Sequence, residues 1–222
     1  MAHSDIDETN AQIPDDDDFP QGLQNIIASE EEVYDLIKCI DPSKSTGPDG
    51  VSPRLLLEAG LGIVPSLTKL INLSLSSAKV PKSWKIANVI PLFKKGEKSD
   101  TNNYRPVSLL SCVSKILERI VFKHVFNYLR DTQFISRHQS GFQPGDSTVN
   151  QLSYLYHIFS EALDKKKDVH IVFCDVRKAF DRVWHKGLLY KLKKAGICGV
   201  LLKWFTDYLT ERYQQVVIRG QK

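Results

Sequence analysis

The chain has 222 residues, of which 42% are hydrophobic and 25% charged, a composition that suits one large domain or two lobes sharing a core and excludes a wholly disordered polymer. Its net charge of +4 conceals a split: residues 1–20 hold seven acidic residues and no Lys or Arg, leaving 30 basic against 19 acidic residues in the remainder. That surplus of eleven favours a polyanionic partner, with plain solubility charge as the alternative. Cys39, Cys112, Cys174 and Cys198 are widely spaced and form no C-x-x-C or Cys/His pattern, so reduced thiols of an intracellular protein are expected rather than a zinc site or disulfides. No apolar run approaches the length of a membrane span.

Residues 1–28 read as a disordered acidic tail, with Pro14 and Pro20 bracketing a run of four aspartates. Order is expected from Ser29, which caps a helix opened by Glu30, Glu31 and Glu32 in capping-box spacing and ended at Asp41-Pro42. "STGPDG" (45–50) is a tight turn, and Ser52-Pro53 restarts a short helix with Pro at its first position. An amphipathic helix follows over about 64–77. "KIANVIPLF" (85–93) reads as a strand ending in the basic loop "KKGEK" (94–98), and "NYRPVSLLS" (103–111) as a second extended segment in which Pro106 forbids regular helix. Helical spacing returns over 112–130. Ser147 caps a further helix whose Val149, Leu152, Leu155, Phe159 and Leu163 share a face. "VHIVFCDVRKAFDRVW" (169–184) begins as a strand, helices are expected near 186–195 and 199–210, and "RYQQVVIRG" (212–220) closes the chain as a strand. This mixture predicts an α+β or α/β fold.

Several motifs fail on inspection. "GLGIVP" ends in Pro where a dinucleotide fingerprint needs its third Gly, "PSKST" has phosphate-loop letters in the wrong order, and the six histidines include no H-E-x-x-H. No Ser has a G-x-S-x-G frame. Asp175 stands apart, because it follows the nearly continuous apolar run Ile171–Cys174, as a carboxylate at the exposed end of a central strand would. Such a residue either holds a hard cation, with the Val176 carbonyl and substrate phosphates as further ligands, or merely caps the next helix. Asp181 suits the ordinary role of a charge in a helix's first turn. Lys94, Lys95, Lys98 and Arg105 lie at or near the ends of two extended segments. Folded as a hairpin they form a phosphate clamp, and otherwise they are solvated loop charges.

Together, "STGPDGVSPRLL", "WKIANVIPLFKKGEKSDTNNYRPVSLLSCVSKILERIV", "QSGFQPGDSTVNQL" and "FCDVRKAFDRVWHKGLLYKL" resemble the reverse transcriptases of non-LTR (LINE-type) retrotransposons, most closely the jockey-like group, over about residues 30–222. The resemblance implies an α+β right-hand polymerase fold, incomplete, with fingers and the N-terminal half of the palm. Its expected divisions are a disordered tail at 1–28, an N-terminal extension with fingers at 29–167 and a partial palm at 168–222. It further implies RNA-directed DNA polymerisation, with an RNA template, a DNA primer, deoxynucleoside triphosphates and Mg2+. Asp175 matches the first metal-binding and catalytic aspartate, and Val176 the residue whose carbonyl joins the coordination. Arg105 matches the fingers arginine on the triphosphate, Lys94 or Lys95 its lysine partner, and Phe180 the ring that excludes a ribose 2′-hydroxyl. Lys98, Gln139 and Phe142 fall where the family contacts nucleic acid. Gln143 and Asp146 depart from the pattern, since the family commonly has Arg and another basic residue there, so no template-backbone contact is carried over at those two positions.

Two ions hold the attacking and leaving oxygens in polymerisation, and one carboxylate cannot place both. The family's aromatic-x-Asp-Asp hairpin is expected beyond residue 222, since the only Asp-Asp here stands in "PDDDDFP". The expectation is therefore a reverse transcriptase fragment that is inactive by itself and presents an exposed sheet edge at 212–220. The alternative is a non-catalytic nucleic-acid-binding remnant that uses the basic surplus alone. A phospho-accepting domain built on Asp175 lacks the acidic pair such domains carry early.

Overall fold

The computed structural model describes residues 22–176 and 179–218. Helix α1 (Glu30–Lys38) begins where expected, with the Glu32 N–H donating to Ser29 Oγ at 3.1 Å. The Glu32 carboxylate does not return to the cap as a capping box requires. It accepts from Lys123 Nζ at 2.8 Å and lies 3.2 Å from His124 Nε2. Burial alone would raise its pKa, but those two partners hold it below the usual range. A local cap has thus become a tertiary tie.

Helix α2 (Pro53–Ala59) has Ser52 as its cap and Pro at its first position, and α3 (Val64–Ser77) follows a short turn. The single turn Lys82–Lys85 then leads into strand β1 (Ile86–Phe93), which β2 (Tyr104–Leu109) joins as an antiparallel hairpin. Helices α4 (Cys112–Asp131), α5 (Thr148–Asp164), α6 (His185–Lys194) and α7 (Gly199–Leu209) precede strand β3 (Tyr213–Val216). The sheet order is β2-β1-β3, with β3 parallel to β1, so β3 is an edge strand. The result is a mixed helical fold around one small sheet.

The apolar faces of α1, α3, α4 and α7 meet in one core that includes Val33, Ile37, Ile71, Ile120 and Leu201. Within it the Trp204 indole N–H donates to Ser74 Oγ at 3.1 Å, satisfying a polar group that burial would otherwise penalise.

Further expectations need correction. First, the expected tail to residue 28 ends too late. Ile26 and Ala28 are buried, and Asn72 exchanges two hydrogen bonds with the Ala28 backbone. The Leu23 and Gln24 carbonyls accept from the Cys198 and Leu201 N–H groups at the start of α7, an end that carries no side-chain cap. Residues 22–28 are therefore a strap between α3 and α7, while the acidic stretch over 1–21 lies outside the described residues.

Second, the run 169–176 forms no strand, and Phe173 is 87% exposed. Third, α5 forms with its Ser147 cap but buries no residue, and Val149, Leu152 and Leu163 of its apolar face are exposed. These last two corrections share an origin. A helix satisfies its backbone internally and so follows from local sequence, whereas a strand needs a neighbour, and no described segment pairs with 169–176. The final strand is also shorter than expected, and residues 219–220 lie outside the described residues.

Candidate functional site

The β1–β2 hairpin gathers the basic residues. Leu92 faces Arg105 across the ladder, and the Lys94 N–H donates to the Asn103 carbonyl at 2.8 Å, closing the pair two positions along. Alternation puts Lys94 two positions beyond Leu92, on the same face as Arg105 and diagonal to it, within reach of long side chains. The loop between the strands is fixed from inside. Asn103 Nδ2 donates to the Glu97 carbonyl at 2.9 Å, the Tyr104 hydroxyl donates to the Lys98 carbonyl at 2.9 Å, and Asp100 Oδ1 accepts from the Asn102 N–H. Phe93 and Tyr104 pack ring to ring at 5.4 Å, and Lys98 Nζ lies 6.0 Å from the Phe93 centroid. Lys94, Lys95, Lys98 and Arg105 are all exposed, and no described carboxylate forms an ion pair with them. This hairpin tip carries four basic residues against Glu97 and Asp100, a net positive surface suited to an oligophosphate.

Asp175 and Val176 lie on the extended segment before the short turn Ala179–Arg182, and both are exposed. Arg177 and Lys178 lie outside the described residues. No hydrogen bond or ion pair joins Asp175 to Lys94, Lys95 or Arg105. Among the described residues, no group of three His, Cys, Asp or Glu side chains could hold a metal by itself. The donors at Asp175 are one carboxylate and one neighbouring carbonyl. That hard-oxygen pair suits a Mg2+ completed by phosphates and water, and does not suit a protein-only metal cage.

Phe180 belongs to the turn that follows Asp175, and its ring meets that of Phe142 edge to face. Gln139 is exposed on the same loop as Phe142. The structure therefore places Lys94 and Arg105 on one face of the hairpin and joins Phe142 to Phe180, without a described contact between the two sets.

Sequence reading missed the cluster that anchors this hairpin. Lys85, immediately before β1, is only 4% exposed, and its Nζ lies 2.8 Å from Asp207 Oδ2. The same carboxylate accepts from the Val80 N–H at 2.8 Å and from Lys79 Nζ at 3.0 Å. Burial would raise the Asp207 carboxyl, but the bonds from Lys85, Val80 and Lys79 prevail and hold it down at about 2. Nearby, the Tyr208 hydroxyl donates to Glu118 Oε1 at 2.9 Å, and burial pushes this phenol up, with the Glu118 charge adding to the effect. No local signal marks these partners, which lie 90 to 128 residues apart. Their effect is to pin α7, and through it β3, to the root of β1.

The family described as reverse transcriptase (RNA-dependent DNA polymerase) matches residues 93–222, from the hairpin tip onward. The chain is 35% identical over 194 residues to a protein of Drosophila melanogaster described as a probable RNA-directed DNA polymerase from transposon BS, covering 86% of this chain and 21% of that one. It is 33% identical over 205 residues to the RNA-directed DNA polymerase from mobile element jockey of the same species, covering 92% and 22%. A Popillia japonica Pol polyprotein from the type-1 retrotransposable element R2 is 27% identical over 181 residues, covering 82% and 24%. The chain spans about a fifth of the length of these relatives. With the match running from the hairpin tip through Asp175 and Phe180, the chain belongs to the reverse transcriptase (RNA-dependent DNA polymerase) family.

Proposed function

We propose that these residues are the fingers and the first part of the palm of a retrotransposon RNA-directed DNA polymerase with a right-hand fold, the fingers within 29–167 and the palm from 168. The observation that carries this reading is the hairpin. It aligns Lys94 and Arg105 on one face, neither of them in a described ion pair, at the point where the family match begins.

In this reading Arg105 and Lys94, with Lys95 beside it, bind the triphosphate of an incoming deoxynucleotide, a task suited to Arg's planar fork and Lys's point charge. Asp175 and the Val176 carbonyl would hold the Mg2+ that travels with the triphosphate. When bound, that ion neutralises charge on the phosphates. Phe180 excludes a ribose 2′-hydroxyl by occupying its space, and Lys98, Gln139 and Phe142 contact the template and primer. The basic surplus outside residues 1–20 supplies general attraction to the nucleic-acid backbone.

Within these 222 residues no aromatic-x-Asp-Asp sequence accompanies Asp175, so the carboxylates for a complete two-metal site are lacking. The isolated 222-residue chain therefore binds nucleotide without extending a primer. Titration calorimetry with dTTP tests this. Arg105→Ala should weaken binding roughly 10- to 100-fold, the loss of a charge-assisted hydrogen bond, and Asp175→Ala should remove the dependence on Mg2+. Equal Mg2+-dependent affinity in Asp175→Ala would exclude the proposed role of that residue. Primer extension by the isolated chain would contradict its assignment as a half-site.

A further inference from the structure

Phe142 and Phe180 are 84% and 81% exposed, yet their ring centroids lie 6.3 Å apart with planes at 89°. That separation and angle are the edge-to-face geometry aromatic pairs prefer. The contact links two segments 38 positions apart in sequence: the loop before α5 and the turn after Asp175. Phe142 reaches it from a left-handed backbone, φ 62°, which residues bearing a Cβ seldom adopt unless their surroundings hold them there.

Those surroundings can be followed bond by bond. The Gln143 N–H donates to the Ser140 carbonyl at 3.3 Å, closing a turn around Phe142. Gln139 Nε2 donates to the Gly141 carbonyl at 3.2 Å. The Ser140 hydroxyl donates to Gln151 Oε1 at 2.6 Å, tethering the loop to α5. Ser147 in turn caps α5 by accepting from the Asn150 N–H at 3.2 Å. The loop is thus built to hold one phenyl ring outward, against another.

A ring can exclude a hydroxyl only while it stays in place, and an exposed phenylalanine alone changes rotamer on a picosecond-to-nanosecond timescale. We propose that Phe142 is a positioning residue for sugar selection, with its ring edge-to-face against Phe180 fixing the Phe180 ring at the 2′ position of the bound nucleotide. This rests on the reading of Phe180 given above and extends it to a residue on another segment. Phe142 then acts through Phe180, independently of any contact it makes with a base.

The test compares dUTP with UTP, which differ only in the 2′-hydroxyl, by calorimetric titration of the 222-residue chain in Mg2+ without nucleic acid. The measured quantity is the ratio of the two affinities, which a general loosening of the site would not change. The unmodified chain should prefer dUTP, and Phe180→Val should erase most of that preference. Phe142→Ala should lower it about three- to tenfold, the value of an aromatic pair expressed as affinity. Phe142→Leu should behave like Phe142→Ala, and Phe142→Tyr should keep the preference because it retains the ring. If Phe180→Val collapses the ratio but Phe142→Ala leaves it within twofold of the unmodified chain, the positioning role is wrong. If Phe180→Val itself changes nothing, or the unmodified chain binds neither nucleotide, the underlying reading fails and this inference with it.

Discussion

Replacing Asp207 with Ala perturbs the anchor of the hairpin directly. The carboxylate is the acceptor for Lys85 Nζ, Lys79 Nζ and the Val80 N–H. Lys85 is 4% exposed, so its ammonium cannot exchange the lost partner for bulk water. Breaking a buried pair from one side costs about 3–5 kcal/mol, a large share of the roughly 5–15 kcal/mol that stabilises a domain. Urea unfolding followed by tryptophan fluorescence reads this cost well, because Trp84 and Trp204 are both buried close to the cluster in sequence. The midpoint should fall by about 1–5 M, given slopes of roughly 1–3 kcal/mol/M. The double variant Lys85→Met, Asp207→Leu removes both charges and should regain most of the loss. A change below about 1 kcal/mol in Asp207→Ala, or a double variant no more stable than the single one, would refute the argument that this pair holds α7 to β1.

Further outcomes follow from neighbouring features. Asp207 is held at about 2 against an ordinary 3.8, a depressed folded-state pKa. Its contribution of about 2 kcal/mol is present above 3.8 and lost as pH falls through about 2, and an acid titration of stability in Asp207→Asn should lack that component. Gly47→Ala should destabilise by about 1–3 kcal/mol in thermal melts, because a Cβ there would lie 2.5 Å from Ser111 N and 2.6 Å from Leu110 O, both backbone atoms. Ile26→Ala should cost about 2–5 kcal/mol in the same assay if residues 22–28 are the strap described, and a neutral result would return them to the solvated tail.

What the sequence revealed divides along the range of the forces involved. Ser29, Ser52 and Ser147 each mark a helix start through a bond to an N–H three residues on, so local reading located all three. The β1–β2 hairpin was legible for a similar reason, because two extended segments joined by a short polar loop have few ways to pair, and that alone brings Lys94 to Arg105. Long-range choices were not legible. Glu32 had the spacing of a capping box, yet found Lys123 and His124 about ninety positions away. Lys85 and Asp207 carried no local mark. The apolar run before Asp175 has the composition of a buried strand, but composition cannot supply the neighbour whose backbone would complete it.

In the proposed function Asp175 and the hairpin cations serve one metal-bound triphosphate. Electron paramagnetic resonance of Mn2+, substituting for Mg2+ with dTTP, observes that metal directly. The unmodified chain should give a protein-bound Mn2+ signal that requires dTTP, is abolished by Asp175→Ala and is weakened by Arg105→Ala. A bound signal of equal strength in Asp175→Ala, or one indifferent to Arg105, would contradict it.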